Sequence, residues 1–130
     1  MPLIKKPWGH KITIMETDHV IVDHLFIKPG GFSSVHSHKL LRNCFYVLKD
    51  WDKLEIQVFE VDKDKAPNPV DHITVSKENN GIVVPPKIIH RFRNPTDAMV
   101  EVIEISYLSA INIEDDIFRV PGFDVGGYNE

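Results

Sequence analysis

The amino-acid sequence predicts an all-β domain that closes as a small antiparallel barrel or sandwich. Three observations carry that expectation. Short runs rich in β-branched and aromatic residues recur along the chain, and clusters of Gly, Pro, Asn and Asp punctuate them. No segment of about ten residues carries the apolar spacing of a helix. A β-rich chain of 130 residues must also close its sheet or cover its edges, which a small barrel or a dimer interface achieves.

The strands follow in order. His19 to Lys28 (HVIVDHLFIK) is β-branched and aromatic, and Pro29-Gly30-Gly31 ends it with a strong turn signal. Cys44 to Lys49 (CFYVLK) and Leu54 to Val61 (LEIQVFEV) come next, with Asp50-Trp51-Asp52 expected as a hairpin connection between them. In the second run Leu54, Ile56, Val58 and Val61 nearly alternate with Glu55, Gln57 and Glu60, the period of a half-buried strand. Asp62 to Pro69 is charged and Pro-containing, so it is expected as an exposed loop. Strands are expected at His72 to Ser76, Ile82 to Val84 and Ile88 to Arg93, separated by Lys77 to Gly81 and other turn material. Asn94-Pro95-Thr96-Asp97 is a turn by its chemistry, and Ala98 to Tyr107 is the last strand. Asn112 to Phe118 is poor strand material and is expected as a short irregular or helical tail. With no internal repeat, low-complexity tract or linker, residues 1–130 are expected to form a single domain.

Composition narrows the function classes. Hydrophobic residues at 42% and charged residues at 26% are close to the globular average, which disfavours disordered and fibrous chains. A net charge of −4 argues against non-specific nucleic-acid or anionic-membrane binding. No apolar run approaches the roughly 20 residues of a membrane helix, and there is no Gly-rich phosphate loop between a strand and a helix. A single cysteine, Cys44, forbids an internal disulfide, and the N-terminus lacks an apolar leader core, so a cytoplasmic setting is expected.

Histidine carries the chemistry. Of seven histidines, His36 and His38 stand two apart just after the glycine turn, so an extended chain points both imidazoles to one side. His90 lies far along the chain on another expected strand. Three neutral imidazoles converging inside a barrel suit a divalent transition metal (Zn, Fe, Ni or Mn) with open positions for water or substrate. His10, His19, His24 and His72 are expected as ordinary polar residues. Alternation on the His90 strand puts Arg91 and Arg93 on the face opposite His90 and Phe92.

These blocks resemble the cupin superfamily, a small β-barrel also called a jelly roll or double-stranded β-helix, and the likeness covers roughly residues 20 to 108. Its first motif is Gly, five residues, HxH, three or four residues, then Glu. Here Gly30 is followed by His36-Ser37-His38 and then by Asn43. Its second motif, Pro-x-Gly-x-x-His-x-x-x-Asn, is met by Pro85, Lys87, His90 and Asn94, with Lys87 in the glycine's place. Lys6-Pro7-Trp8-Gly9 near the start and Glu114 to Arg119 near the end resemble the flanks of the sugar-phosphate cupins, the type II mannose-6-phosphate isomerase domain often fused to mannose-1-phosphate guanylyltransferase.

The resemblance implies His36, His38 and His90 as metal ligands, with Asn43 as a weak fourth. Asn43 offers a neutral amide oxygen where the superfamily has a carboxylate. The sugar-isomerase group usually has Gln at the position of His36, so the chain departs from that pattern at two ligand places. Lys87 and Tyr46 are the candidate catalytic groups, and Lys39, Arg42, Arg91 and Arg93 are further cations near the motifs. Three functions follow as expectations. The first is a metal-binding cupin that binds or acts on a sugar or sugar phosphate, as an isomerase or epimerase. The second is a three-histidine oxygenase of a small organic substrate, and the third a non-catalytic carbohydrate-binding cupin. The expected partners are a small-molecule ligand and a second copy of the chain in a homodimer, with no nucleic acid and no membrane.

Overall fold

The computed structural model describes residues 2–62, 64–79, 81–108 and 121. Nine strands are named here in chain order: β1 (Leu3–Lys6), β2 (Gly9–Glu16), β3 (Val20–Ile27), β4 (Arg42–Val47), β5 (Leu54–Glu60), β6 (Asn68–Val75), β7 (Ile82–Val84), β8 (His90–Arg93) and β9 (Val100–Tyr107). A single 3₁₀ turn at Lys77–Asn79 is the helical content of the described residues. The strands form two antiparallel sheets, one in the order β1-β2-β3-β9-β4-β7 and one in the order β6-β5-β8. The all-β expectation holds. The residues 112–118 expected as a tail, and the flank at 114–119, lie outside the described residues.

Two expectations are corrected. Asp50 to Asp52 do not join a hairpin, because β4 pairs with β7 and β9 while β5 pairs with β6 and β8. The connection instead carries the chain from one sheet to the other, and a short polar link serves either purpose. The N-terminal hairpin β1–β2 was not expected, since its Lys- and Pro-rich residues mask the alternation of Ile12 and Ile14 with Lys11 and Thr13. Its turn at Pro7-Trp8 leads into Gly9, which has φ of 149° and lies so close to Phe26 that a side chain there would strike the Phe26 carbonyl.

Alternation sets what faces inward. On β3 Asp23, Leu25 and Ile27 are buried, and directly opposite residues of neighbouring antiparallel strands share a face. The inner face of the large sheet therefore has ordered rows. Ile27 and Leu25 meet Val100 and Val102, with Val47 beyond. The next row is Thr13, Asp23, Glu104 and Phe45, and the one after it is Ile21, Ser106 and Asn43. The face is thus apolar at one end and polar at the other. Leu54, Ile56, Val75 and Phe92 of the second sheet cover the apolar end and complete the core, with Trp8 packed against it. Each such aliphatic side chain contributes about 1.5–3 kcal/mol on burial. The polar end is left as a cavity.

Candidate metal centre

The glycine turn delivers the first two imidazoles. Pro29 and Gly30 occupy the centre of a turn closed by the Gly31 N–H donating to the Lys28 carbonyl at 2.9 Å. Gly30 has φ of 69°, as the third position of a type II turn requires. Beyond it isolated bridges join Phe32 to Arg93 and His36 to His90 at the two ends of β8. His36, His38 and His90 each offer a ring nitrogen, and these atoms lie within 4.8 Å of one another. Ring centroids are 4.8 Å apart for His36–His90, 5.1 Å for His36–His38 and 6.0 Å for His38–His90.

The hydrogen bonds orient two of the rings. His90 Nδ1 lies 2.9 Å from the Ile88 carbonyl, so it carries the proton and donates it there. That leaves Nε2 as a lone-pair donor, buried and without a hydrogen-bond partner. His36 Nδ1 likewise donates to the Ser34 carbonyl at 2.8 Å, freeing its Nε2. Burial, reinforced by the neighbouring His36, holds His38 below the usual imidazole value of 6.5. Burial does the same for His90, with His36 and His38 adding to it and the Ile88 carbonyl opposing it. These two rings favour the neutral form that a cation requires.

Asn43, only 2% exposed, completes the polar end of the cavity. Its amide NH₂ donates to Ser106 Oγ at 2.8 Å, and its Oδ1 is buried with no partner. A buried orphan nitrogen and a buried orphan oxygen each cost about 1–3 kcal/mol unless something meets them. A transition ion shared by the three imidazoles would meet the first of these. A donor set of three imidazoles suits zinc, iron, nickel or manganese.

The remaining sequence candidates fall elsewhere. Tyr46 is corrected: it stands on the opposite face of β4 from Asn43, Phe45 and Val47, where its hydroxyl accepts a hydrogen bond from Lys77 at 2.6 Å. Lys87 is exposed and does not line the cavity. Its φ is 70°, and its N–H donates to the His38 carbonyl at 2.6 Å. It acts on the site through its main chain. Arg91 and Arg93 face outward, Arg91 over Phe32 and Phe59 and bonded to Gln57, Arg93 beside Glu55. Lys39 and Arg42 are also absent from the cavity wall.

Sequence reasoning missed the other wall. Lys6, Trp8, Lys11 and Thr13 of the N-terminal hairpin, with Asp23 and Glu104, bound the same cavity as His36, His38 and Asn43, a volume of about 520 Å³. That size lies within the roughly 300–1,000 Å³ of small-molecule sites. A signal did exist: Asp23 is in phase with the apolar Leu25 and Ile27, and Glu104 with Val100 and Val102.

Two opposed antiparallel sheets, closed over a cavity into which a His-x-His segment and a distant histidine converge, define a cupin. Within that superfamily the chain belongs to the family described as mannose-6-phosphate isomerase C-terminal, whose profile matches residues 3–122. A mannose-1-phosphate guanylyltransferase of Sinorhizobium fredii is 31% identical over 119 residues, 92% of this chain and 20% of that protein. The alginate biosynthesis protein AlgA of Pseudomonas fluorescens is 27% identical over 116 residues, 89% of this chain and 21% of that one. The chain thus spans about a fifth of the length of the curated relatives it matches. Among solved structures, the capsular polysaccharide assembling protein CapF from Staphylococcus aureus superposes with a TM-score of 0.63 at 20% identity, over 88% of this chain and 31% of that one. A cupin superfamily protein from Desulfitobacterium hafniense gives 0.57 at 14% identity, over 76% of each chain. These structural likenesses speak to the fold.

Proposed function

We propose that this chain is a metal-binding cupin that takes a sugar or sugar phosphate into its cavity and acts on the carbonyl end as an isomerase or epimerase. The observation that carries the reading is the meeting of three ring nitrogens within 4.8 Å, two of them from residues that line a cavity large enough for a hexose. A divalent transition ion, when bound there, supplies a Lewis acid for a carbonyl or hydroxyl oxygen. His36, His38 and His90 would hold it, with Asn43 Oδ1 nearby.

The rest of the wall suits a polyhydroxylated ligand. Thr13, Asp23, Asn43 and Ser106 offer hydrogen-bonding groups, and Trp8, set edge-on to Phe92 at 5.1 Å, offers an apolar surface. The cations of the wall are Lys6 and Lys11. Lys11 is engaged with Asp23 at 3.5 Å, so Lys6 is the group placed to meet a phosphate. Membership of the mannose-6-phosphate isomerase C-terminal family supports the substrate class. A homodimer is proposed alongside, supported by β1 at a sheet edge with Leu3 and Ile4 exposed, and light scattering in solution tests it.

The test is metal content and sugar binding on one preparation. The purified chain should carry or take up about one equivalent of zinc, and His36→Ala with His90→Ala should abolish it. Mannose 6-phosphate should bind the loaded protein at least about tenfold more tightly than the chelated one, a coupling of about 1.4 kcal/mol. A wild-type chain that takes up none of zinc, iron, nickel or manganese overturns the proposal.

A further inference from the structure

The row that separates the core from the histidines holds two carboxyl groups side by side. Asp23 on β3 and Glu104 on β9 are directly opposed in register, and both line the cavity. Like charges placed opposite one another destabilise a sheet. The donors of this row are aimed at Asp23, which is 5% exposed: the Thr13 hydroxyl at 2.7 Å and the Lys11 ammonium at 3.5 Å. Asp23 is therefore the carboxylate, and Glu104 faces a negative neighbour from a partly buried position. Burial, then the charge of Asp23, pushes Glu104 up to about 7, with Lys11 pulling the other way. On the adjoining row Asn43 Oδ1 is buried, partnerless and on the same cavity wall. A carboxyl poised between its two forms thus bounds the cavity, one row from the buried amide of Asn43.

We infer that Glu104 is the acid–base residue of this cavity, taking a proton from a carbon beside a carbonyl of a bound hydroxy-aldehyde or hydroxy-ketone and returning it to the neighbouring carbon. The inference rests on the sugar reading above and assigns the group that moves the proton. In the first half the C–H bond breaks, the proton passes to a Glu104 carboxylate oxygen, and the electron pair moves onto the carbonyl oxygen. The hydroxyl proton shifts between the two adjacent oxygens. In the second half the new carbon–hydrogen bond forms at the former carbonyl carbon and Glu104 is again a carboxylate. No oxidant or reductant is consumed. Asp23 is a positioning residue, held by Thr13 and Lys11, that sets the proton affinity of Glu104. The other charged and titratable groups of the wall are Glu16 and Lys6 on the N-terminal hairpin, with His36 and His38 on the approach to β4.

Two measurements test this. Carboxyl-carbon NMR of the metal-free protein should show one resonance, lost in Glu104→Gln, titrating near neutrality and moving to lower pH in Asp23→Asn. Titration of that resonance at the ordinary glutamate value of 4.5 overturns the inference whatever metal the protein binds. Incubation of the zinc-loaded protein with mannose 6-phosphate in deuterium oxide should then place deuterium at the carbon next to the carbonyl. Glu104→Gln should lower that exchange about 10²-fold or more while changing sugar affinity less than about threefold. In Asp23→Asn the exchange should persist with its pH profile displaced downward. Equal exchange in wild type and Glu104→Gln overturns the inference, as does a wild type that binds the sugar without exchange, which leaves sugar binding intact. A wild type that binds neither zinc nor sugar overturns this inference together with the proposed function.

Discussion

His36 and His90 exchange two main-chain hydrogen bonds, His36 N–H to the His90 carbonyl at 2.9 Å and His90 N–H to the His36 carbonyl at 2.8 Å. The pairing lies outside the named ladders and clips the His-x-His segment onto the second sheet. Convergence of the imidazoles is thus set by backbone bonds that survive loss of the side chains. His36→Ala should abolish metal uptake yet leave thermal unfolding within a few degrees of wild type. His36→Pro removes the donor itself, and should cost about 3 kcal/mol and the metal together. Circular dichroism melts with metal analysis of the three proteins check this.

Asn43→Glu puts a charged oxygen where a neutral orphan now lies. Without metal the buried carboxylate should destabilise the chain; with metal it gains its partner. The zinc-induced rise in melting temperature should therefore be larger in Asn43→Glu than in wild type, and zinc affinity in a competition assay about tenfold higher. An unchanged affinity would mean that Asn43 does not address the ion.

Lys87 holds φ of 70°, in the region that costs a side chain roughly 1–2 kcal/mol relative to glycine. The strain is tolerated because its N–H anchors the His38 carbonyl. Lys87→Gly should keep that bond and stabilise the fold by about 1 kcal/mol in urea unfolding, with metal and sugar binding unchanged. A loss of sugar affinity would restore the ammonium group as a ligand contact.

Asn94, fully buried, ties two turns together. Its Nδ2 lies 2.9, 3.2 and 2.8 Å from the carbonyls of Ile27, Lys28 and Ala98, and its Oδ1 accepts from the Thr96 N–H and hydroxyl. Asn94→Ala should cost about 3 kcal/mol, because it strands carbonyls and an amide in the interior. Chemical denaturation measures it.

Glu104 supplies a pH dependence of stability with a definite sign. Its native value of about 7 stands above its ordinary 4.5. Between those values the native state holds a proton that the unfolded chain has released, so stability falls as pH rises through that window. Glu104→Gln should match wild type near about pH 4 and exceed it at about pH 8 by on the order of 3 kcal/mol. Urea midpoints across that range decide the matter.

Much of this was legible from the residues, by parity. The spacing of His36 and His38 told that both point one way, and the alternation of His90 and Phe92 with Arg91 and Arg93 told that the arginines turn out. Parity also contained the answer on Tyr46: three residues after Asn43 on one strand, it cannot share that face. Pairing partners were another matter. Whether Leu48 to Lys53 reverses the chain within a sheet or hands it to the opposite one depends on where distant strands lie, which no local pattern records. The N-terminal hairpin was hidden for a related reason, since its inward residues meet a cavity and so include Lys11 and Thr13 where core strands carry apolar side chains.

That hairpin has a wider consequence. Residues 3–16 wall one side of the cavity, whereas the imidazoles come from the segment after the glycine turn and from β8. The clustered imidazoles and the opposite wall of the cavity therefore come from separate stretches of polypeptide. Grafting a different ribbon of the same register onto β3 would keep the three imidazoles while changing the wall they face, and by replacing Lys11 and Thr13 it would also take from Asp23 the two donors that hold it.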